Sequence, residues 1–178
     1  MSDAEDAYGE DLAADVLEVR RGLFDETLDD TLTVLAPPEP VCVTETVTVQ
    51  EAVNAMVAHH QASVLVVDPD GRLIGIFTER DVLLRVVGRG LDTHRTPVDR
   101  VMTREPQALR LQDRVAYALH CMSVAGYRTV PIVDAAERPI GVITATDVIR
   151  WLADLFPEAV LNLPPGDAVK NPGQIDAG

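Results

Sequence analysis

The chain has 178 residues, 47% of them apolar and 25% charged, a balance that suits a globular protein with one full core or two small ones sharing an interface. Its formal net charge of −14 excludes a general nucleic-acid binder, because no surplus of Lys and Arg exists to neutralise phosphates. No apolar run approaches the ~18 residues of a membrane span, and the acidic start Met1-Ser-Asp-Ala-Glu-Asp6 is the reverse of a secretory leader.

Residues 1–35 carry eleven acidic residues against Arg20 and Arg21, a net −9, so the remaining body is close to −5. Within this stretch Leu12, Val16, Val19 and Leu23 follow helical spacing, which predicts an amphipathic helix over about 11–33. Residues 1–33 therefore read as an acidic extension that docks on the body or on a partner. Cys42 and Cys121 lie in apolar segments without CxxC spacing, the pattern of two buried free thiols in a reducing cytoplasm.

From Pro40 onward the chain repeats itself. Displaced by 66 residues, Pro40 to Val82 aligns without a gap on Pro106 to Val148. Val49, Ala52 and Met56 fall on Val115, Ala118 and Met122; Ile74-Gly75 falls on Ile140-Gly141; Thr78 and Asp81 fall on Thr144 and Asp147. The matches occupy apolar, turn and cap positions, as duplicated structure requires.

Each copy reads as strand, helix, strand, strand, helix. Val41-Cys42-Val43 and Gln107-Ala108-Leu109 are short first strands. Thr48-Val-Gln-Glu51 is a capping box opening a helix, and the second copy's helix starts near Asp113. Ser63–Val67 and Thr129–Val133 are β-branched runs with the look of buried strands. Asp68-Pro-Asp-Gly71 is a tight turn into the next strand, matched by Asp134–Pro139. Two closing helices run to about Val87 and Leu155, stopped by Gly88/Gly90 and Pro157. Between the copies, Thr96-Pro97-Val98 predicts one helical turn with Pro97 at its first position.

A unit of about 60 residues is marginal alone, so two units packed sheet to sheet are expected to share their stability. The expected class is α+β, with two pseudo-symmetric β-α-β-β-α repeats. The repeats span 34–94 and 95–156, followed by a Pro/Gly-rich tail over 157–178.

Both copies end a strand at a threonine and open a helix whose third residue is an aspartate: Gly75-Ile-Phe-Thr-Glu-Arg-Asp81 and Gly141-Val-Ile-Thr-Ala-Thr-Asp147. Thr-x-x-Asp at such a junction can cap the first-turn amides. The same amides, at the positive end of the helix dipole, can hold a phosphate while the carboxylate takes sugar hydroxyls. The residues alone leave both readings open.

A tandem repeat of this length, each copy ending in Gly-h-h-Thr-x-x-Asp (h, apolar), resembles the CBS domain pair, or Bateman module. The resemblance covers about 34–155 and includes Val49-x-x-Ala52-x-x-x-Met56, Tyr127-Arg-Thr-Val-Pro-Ile-Val-Asp134 and Val101-Met102-Thr103. It implies a regulatory, non-enzymatic module that requires no cofactor. Its ligand would be an adenosine-containing nucleotide (AMP, ADP, ATP or S-adenosylmethionine) held between the repeats, and the module would form a homodimer and signal to a protein partner. Carried over residue by residue, Asp147 would bind ribose hydroxyls and Thr144 phosphate, with Asp81 and Thr78 doing the same in the other cleft. Arg128, Thr129 and Val130 match the strand lining the purine, and Arg128 suits phosphate because its planar fork is permanently charged. The first copy has Ala62, Ser63 and Leu65 where the second has Arg128, Thr129 and Pro131, so the Thr144/Asp147 cleft is the stronger, while Arg80 offers the first copy a partial substitute. Which cleft Arg128 serves is not fixed by the sequence.

The competing reading is a ligand-free structural or assembly dimer that acts through its N-terminal helix. No nucleophile–base–acid set exists for an enzyme, and adjacent His59 and His60 do not share a helical face as metal ligands would.

Overall fold

The computed structural model describes residues 27–155. The expected N-terminal helix falls mostly outside them. Its described end stops at Leu28 instead of running to about 33, giving way to a turn and a 3-10 helix at Leu32–Leu35.

The first repeat contains β1 (Cys42–Thr44), α1 (Val49–Ala58), β2 (Ser63–Val67) and β3 (Leu73–Thr78). Then comes α2 (Glu79–Asp81), which continues as π-helix over Val82–Val86 and 3-10 helix over Val87–Arg89. After a 3-10 turn at Val98–Arg100 and β4 (Thr103–Arg104), the second repeat contributes α3 (Val115–Ser123), β5 (Thr129–Val133), β6 (Pro139–Thr144) and α4 (Ala145–Leu155). This is the expected α+β order, except that β4 is an addition and the strand expected at 107–109 is missing.

The missing strand has a specific cause. In the first repeat β1 pairs in parallel with β2, and the Leu65 amide donates to the Val41 carbonyl at 2.8 Å. The matched residue in the second repeat is Pro131, which has no N–H to offer Gln107. The expected strand 107–109 is thus reduced to a single bridge between Leu109 and Ile132, held by the Leu109 amide on Pro131 O and the Val133 amide on Leu109 O.

Two apolar cores result. One gathers Val49, Ala52 and Met56 of α1 under Val64, Val66 and Phe77, and the other gathers Val115, Ala118 and Cys121 of α3 under Val130, Ile132 and Ile143. The opposite faces of the strands are buried as well, at Leu65, Ile76, Pro131 and Val142. Burial on both faces is what sheet-on-sheet packing of the two repeats produces.

The segments leading into the repeats are exchanged. Val98, Val101 and Met102, which precede the second repeat, complete the first core; Leu32, which precedes the first, is fully buried in the second. The polar contacts follow the same offset of 66 residues. The Val98 amide donates to Val47 O and the Leu32 amide to Asp113 O, both at 2.8 Å. Bridges Thr48–Pro97 and Thr31–Arg114 are likewise equivalent. β4 then adds antiparallel to β3, giving the order β1-β2-β3-β4, while β5 and β6 form a two-stranded sheet.

Three local expectations change in detail. Pro97 stands just before the connector's 3-10 turn, not in it. Asp113 turns its carboxylate back to the Arg110 amide at 2.7 Å, so α3 starts after Arg114 with no side-chain cap. Cys121 is buried but Cys42, on the edge strand β1, is exposed.

Candidate functional site

Each Thr-x-x-Asp forms a closed capping box, with its threonine as the last residue of the preceding strand. In the second repeat one carboxylate oxygen of Asp147 (Oδ2) accepts from the Thr144 amide at 2.8 Å and from its hydroxyl at 2.7 Å, and the Asp147 amide returns a bond to Thr144 Oγ1 at 3.3 Å. The first repeat repeats this with Asp81 and Thr78 at 3.0, 2.8 and 3.3 Å. Of the two readings the residues left open, helix capping is formed at both pairs.

Capping uses only one oxygen of each carboxylate, and the two sites differ at the other. Asp147 Oδ1 faces Arg150 at 3.6 Å, an exposed side chain that surface water screens. Asp81 Oδ1 meets Arg85 Nε at 3.1 Å, and Asp81 is 8% exposed. The same arginine donates Nη1 to the Val101 carbonyl at 3.0 Å. The 66-residue offset places Trp151 at the matched position in the second repeat, where it packs against the apolar core.

The antiparallel register brings the expected strand residues to these pairs. Thr129 lies opposite Thr144 and Val130 opposite Ile143, and the Arg128 carbonyl accepts from the Ala145 amide at 3.1 Å. Arg128, Thr129, Thr144 and Asp147 thus meet at one end of the β5–β6 hairpin, where α4 begins. Val130 is fully buried in the second core and presents no surface of its own to a ligand. The Arg128 guanidinium is exposed and makes no ion pair or hydrogen bond among the described residues. In the first repeat Ser63 lies opposite Thr78, and Arg80 is exposed and equally without a partner among the described residues.

Sequence reading missed Arg85. The signal was present as an Asp–Arg pair four residues apart on a helix, but its link to Val101 depends on how the connector folds back. A second feature also escaped it: a cavity of about 300 Å³ beside β1, lined by Glu39, Pro40, Val41, Cys42, His59 and Gln61. Gln61 spans it, accepting from the Val41 amide at 3.3 Å and donating to Glu39 O at 3.0 Å. Among the described residues no group of three or more His, Cys, Asp or Glu side chains could hold a metal, and no helix is long and apolar enough to cross a membrane.

The fold and its paired Thr-Asp junctions define a two-repeat module. The CBS domain family matches residues 34–88 and 98–154, and the chain belongs to that family. It is 31% identical over 121 residues to an uncharacterized 17.7 kDa protein of Acidianus ambivalens, covering 68% of this chain and 72% of that one. It is 39% identical over 106 residues to the meiotically up-regulated gene 70 protein of Schizosaccharomyces pombe, but spans only 14% of that much longer chain. Among solved structures it resembles a CBS domain protein from Pyrobaculum aerophilum complexed with AMP (TM-score 0.65, 24% identity, 73% of this chain and 98% of that one). It also resembles the CBS domain pair of protein MJ0100 in complex with 5′-methylthioadenosine and S-adenosyl-L-methionine (TM-score 0.63, 22% identity, 69% and 99%).

Proposed function

We propose that this chain is a non-catalytic cytoplasmic module that binds an adenosine-containing nucleotide and signals its presence to a partner protein. The observation that carries the reading is the free side of Asp147. Thr144 holds one carboxylate oxygen in a fixed place, and the other faces, among the described residues, only an exposed arginine at 3.6 Å. A ribose diol needs such an oriented acceptor. A phosphate needs a permanent cation and a donor beside it, which the unpaired Arg128 and the Thr129 hydroxyl supply, and Thr144 would join them only by releasing its hydroxyl proton from Asp147. The Pyrobaculum protein with AMP and the MJ0100 pair with S-adenosyl-L-methionine support adenosine as the ligand's common part. Binding would favour one relation of the repeats, and a partner would read it.

A homodimer belongs to this reading. Leu83 and Ile149 occupy the same position on the two closing helices and are 64% and 66% exposed, an apolar pair that a second copy would cover.

The test is thermal unfolding with AMP, ADP, ATP, S-adenosylmethionine, NADH and a GTP control. A ligand at ~100 times its Kd adds about 2.7 kcal/mol, roughly 5–10 °C in Tm for a chain of this size. The shift should vanish in Asp147→Ala, with the fold kept. A shift that survives the substitution removes the assigned ribose contact.

The second reading, a ligand-free assembly dimer working through its N-terminal segment, draws on the closed capping boxes, since both Thr-Asp pairs already perform a structural task. No shift with any nucleotide would favour it. Deleting residues 1–33 would then abolish partner capture.

A further inference from the structure

The two Thr-Asp sites are the same in their caps and differ in what occupies the outer carboxylate oxygen. We infer that Arg85 closes the first site from within, so that the chain takes up one nucleotide, at Asp147, and holds the second site shut.

The argument starts from the geometry of acceptors. Asp81 Oδ2 is spent on the Thr78 amide and hydroxyl, as Asp147 Oδ2 is on Thr144. Only Oδ1 is left for a ligand hydroxyl, and at Asp81 it is held by Arg85 Nε at 3.1 Å. The carboxylate is sheltered while the arginine is partly open: the Asp81 side chain is 11% and Arg85 35% exposed, against 21% for Asp147 and 69% for Arg150. Arg85 has a second anchor, the Val101 carbonyl at 3.0 Å from Nη1. A guanidinium fixed at both ends is pre-organised, and a ligand hydroxyl must compete with it for Asp81 Oδ1. Among the described residues the one cation paired with Asp147 is the exposed Arg150, at 3.6 Å and with no second anchor.

The backbone carries the same asymmetry. After Asp81 the helix widens to a π-helix over Val82–Val86, and Arg85 lies in that wide turn. α4 stays α-helical throughout, and Trp151 takes the equivalent position and joins the core. Wide turns of this kind commonly sit at functional positions in helices. Val101 belongs to the connector that completes the first core, so Arg85 also ties the closed site to the segment joining the repeats.

Without Arg85, the first site would present Asp81 Oδ1 as acceptor and the unpaired Arg80 as cation, the chemistry to take a nucleoside monophosphate. The inference rests on the nucleotide reading of Asp147, and the test separates the two.

The experiment is calorimetric titration of the full chain with AMP, reading stoichiometry. Wild type should bind one AMP per chain and Asp147→Ala none. Arg85→Ala should bind two, and Arg85→Ala with Asp147→Ala should bind one, lost again on adding Asp81→Asn. If Arg85→Ala does not fold, Arg85→Lys replaces it: a single ammonium has no rigid fork to reach both Asp81 and Val101, and a weaker second site should emerge. One AMP in both the wild type and a folded Arg85 variant overturns closure and leaves the Asp147 reading standing. Two AMP in wild type, one of them lost in Asp81→Asn, overturns it too, as does weaker binding on removal of Arg85, which would make that arginine a ligand contact. Equal binding by wild type and Asp147→Ala refutes the nucleotide assignment itself, and does so without any Arg85 variant.

Discussion

Pro37 lies directly over Gly141: a β-carbon on that glycine would stand 2.8 Å from the Pro37 Cβ. The Val142 amide bonds to Pro38 O at 3.2 Å just beside it. The lead-in to the first repeat therefore crosses the β6 strand of the second at a distance only glycine permits.

Gly141→Ala should accordingly destabilise the chain by about 1–3 kcal/mol, the usual cost of overpacking against a rigid neighbour. Gly75→Ala is the paired comparison, because the group it meets is the flexible side chain of Met102. It should cost less. Urea unfolding of both variants checks the order, and a Gly141→Ala protein as stable as wild type would mean that the crossing is not close in solution.

Leu32 tests the exchange of lead-in segments. It is fully buried in the second core although it precedes the first repeat, so Leu32→Ala should cost roughly 2–5 kcal/mol. Val34, two residues on and 43% exposed, should tolerate alanine within about 0.5 kcal/mol. Similar midpoints for the two variants would show that residues 27–35 are not part of the folded unit.

Acid sensitivity should come from two turn and cap carboxylates. The Arg138 amide, followed by the Ala136 amide and the charges of Arg138 and Arg110, holds Asp134 below its ordinary pKa against the opposing effect of desolvation. Glu51 is lowered by the Thr48 amide and hydroxyl. A folded-state pKa below the unfolded value means that the unfolded chain binds more protons in this range. Stability is thus fully present above the ordinary carboxylate range of about 4 and is lost as pH falls through it. Asp134→Asn keeps an acceptor for both amides and removes the titration, so its stability should fall less steeply between about pH 5 and 3. Parallel slopes for wild type and variant, measured by urea unfolding across that range, would remove Asp134 as a source.

Much of this molecule was legible before any coordinates. The 66-residue offset, the β-branched runs, the Thr48 capping box and the Asp68–Gly71 turn are local patterns, and local hydrogen bonds satisfy them: Thr48 and Glu51 do cap each other, and the Gly71 amide does bond Asp68 O, at 2.9 Å. Duplication of the Thr-Asp junction was equally plain, because three residues and a helix start are enough to build it. The failed strand at 107–109 was readable in principle from Pro131, though only once its pairing partner was known.

What the sequence by itself determined was the list of elements, the two cores drawn from apolar periodicity, and the pair of Thr-Asp boxes with their flanking strand residues. These depend on contacts within a few residues or on a repeat that exposes them twice. Tertiary structure alone decided which segment completes which core, why Gly141 has no room for a side chain, and which carboxylate has its outer oxygen held by a doubly anchored arginine. Those outcomes rest on neighbours brought together across the chain: Pro37 on Gly141, Leu32 on Asp113, Arg85 on Val101. Spacing along the chain carries no record of them, because a long arginine reaches its second anchor only after the connector has folded back to meet it.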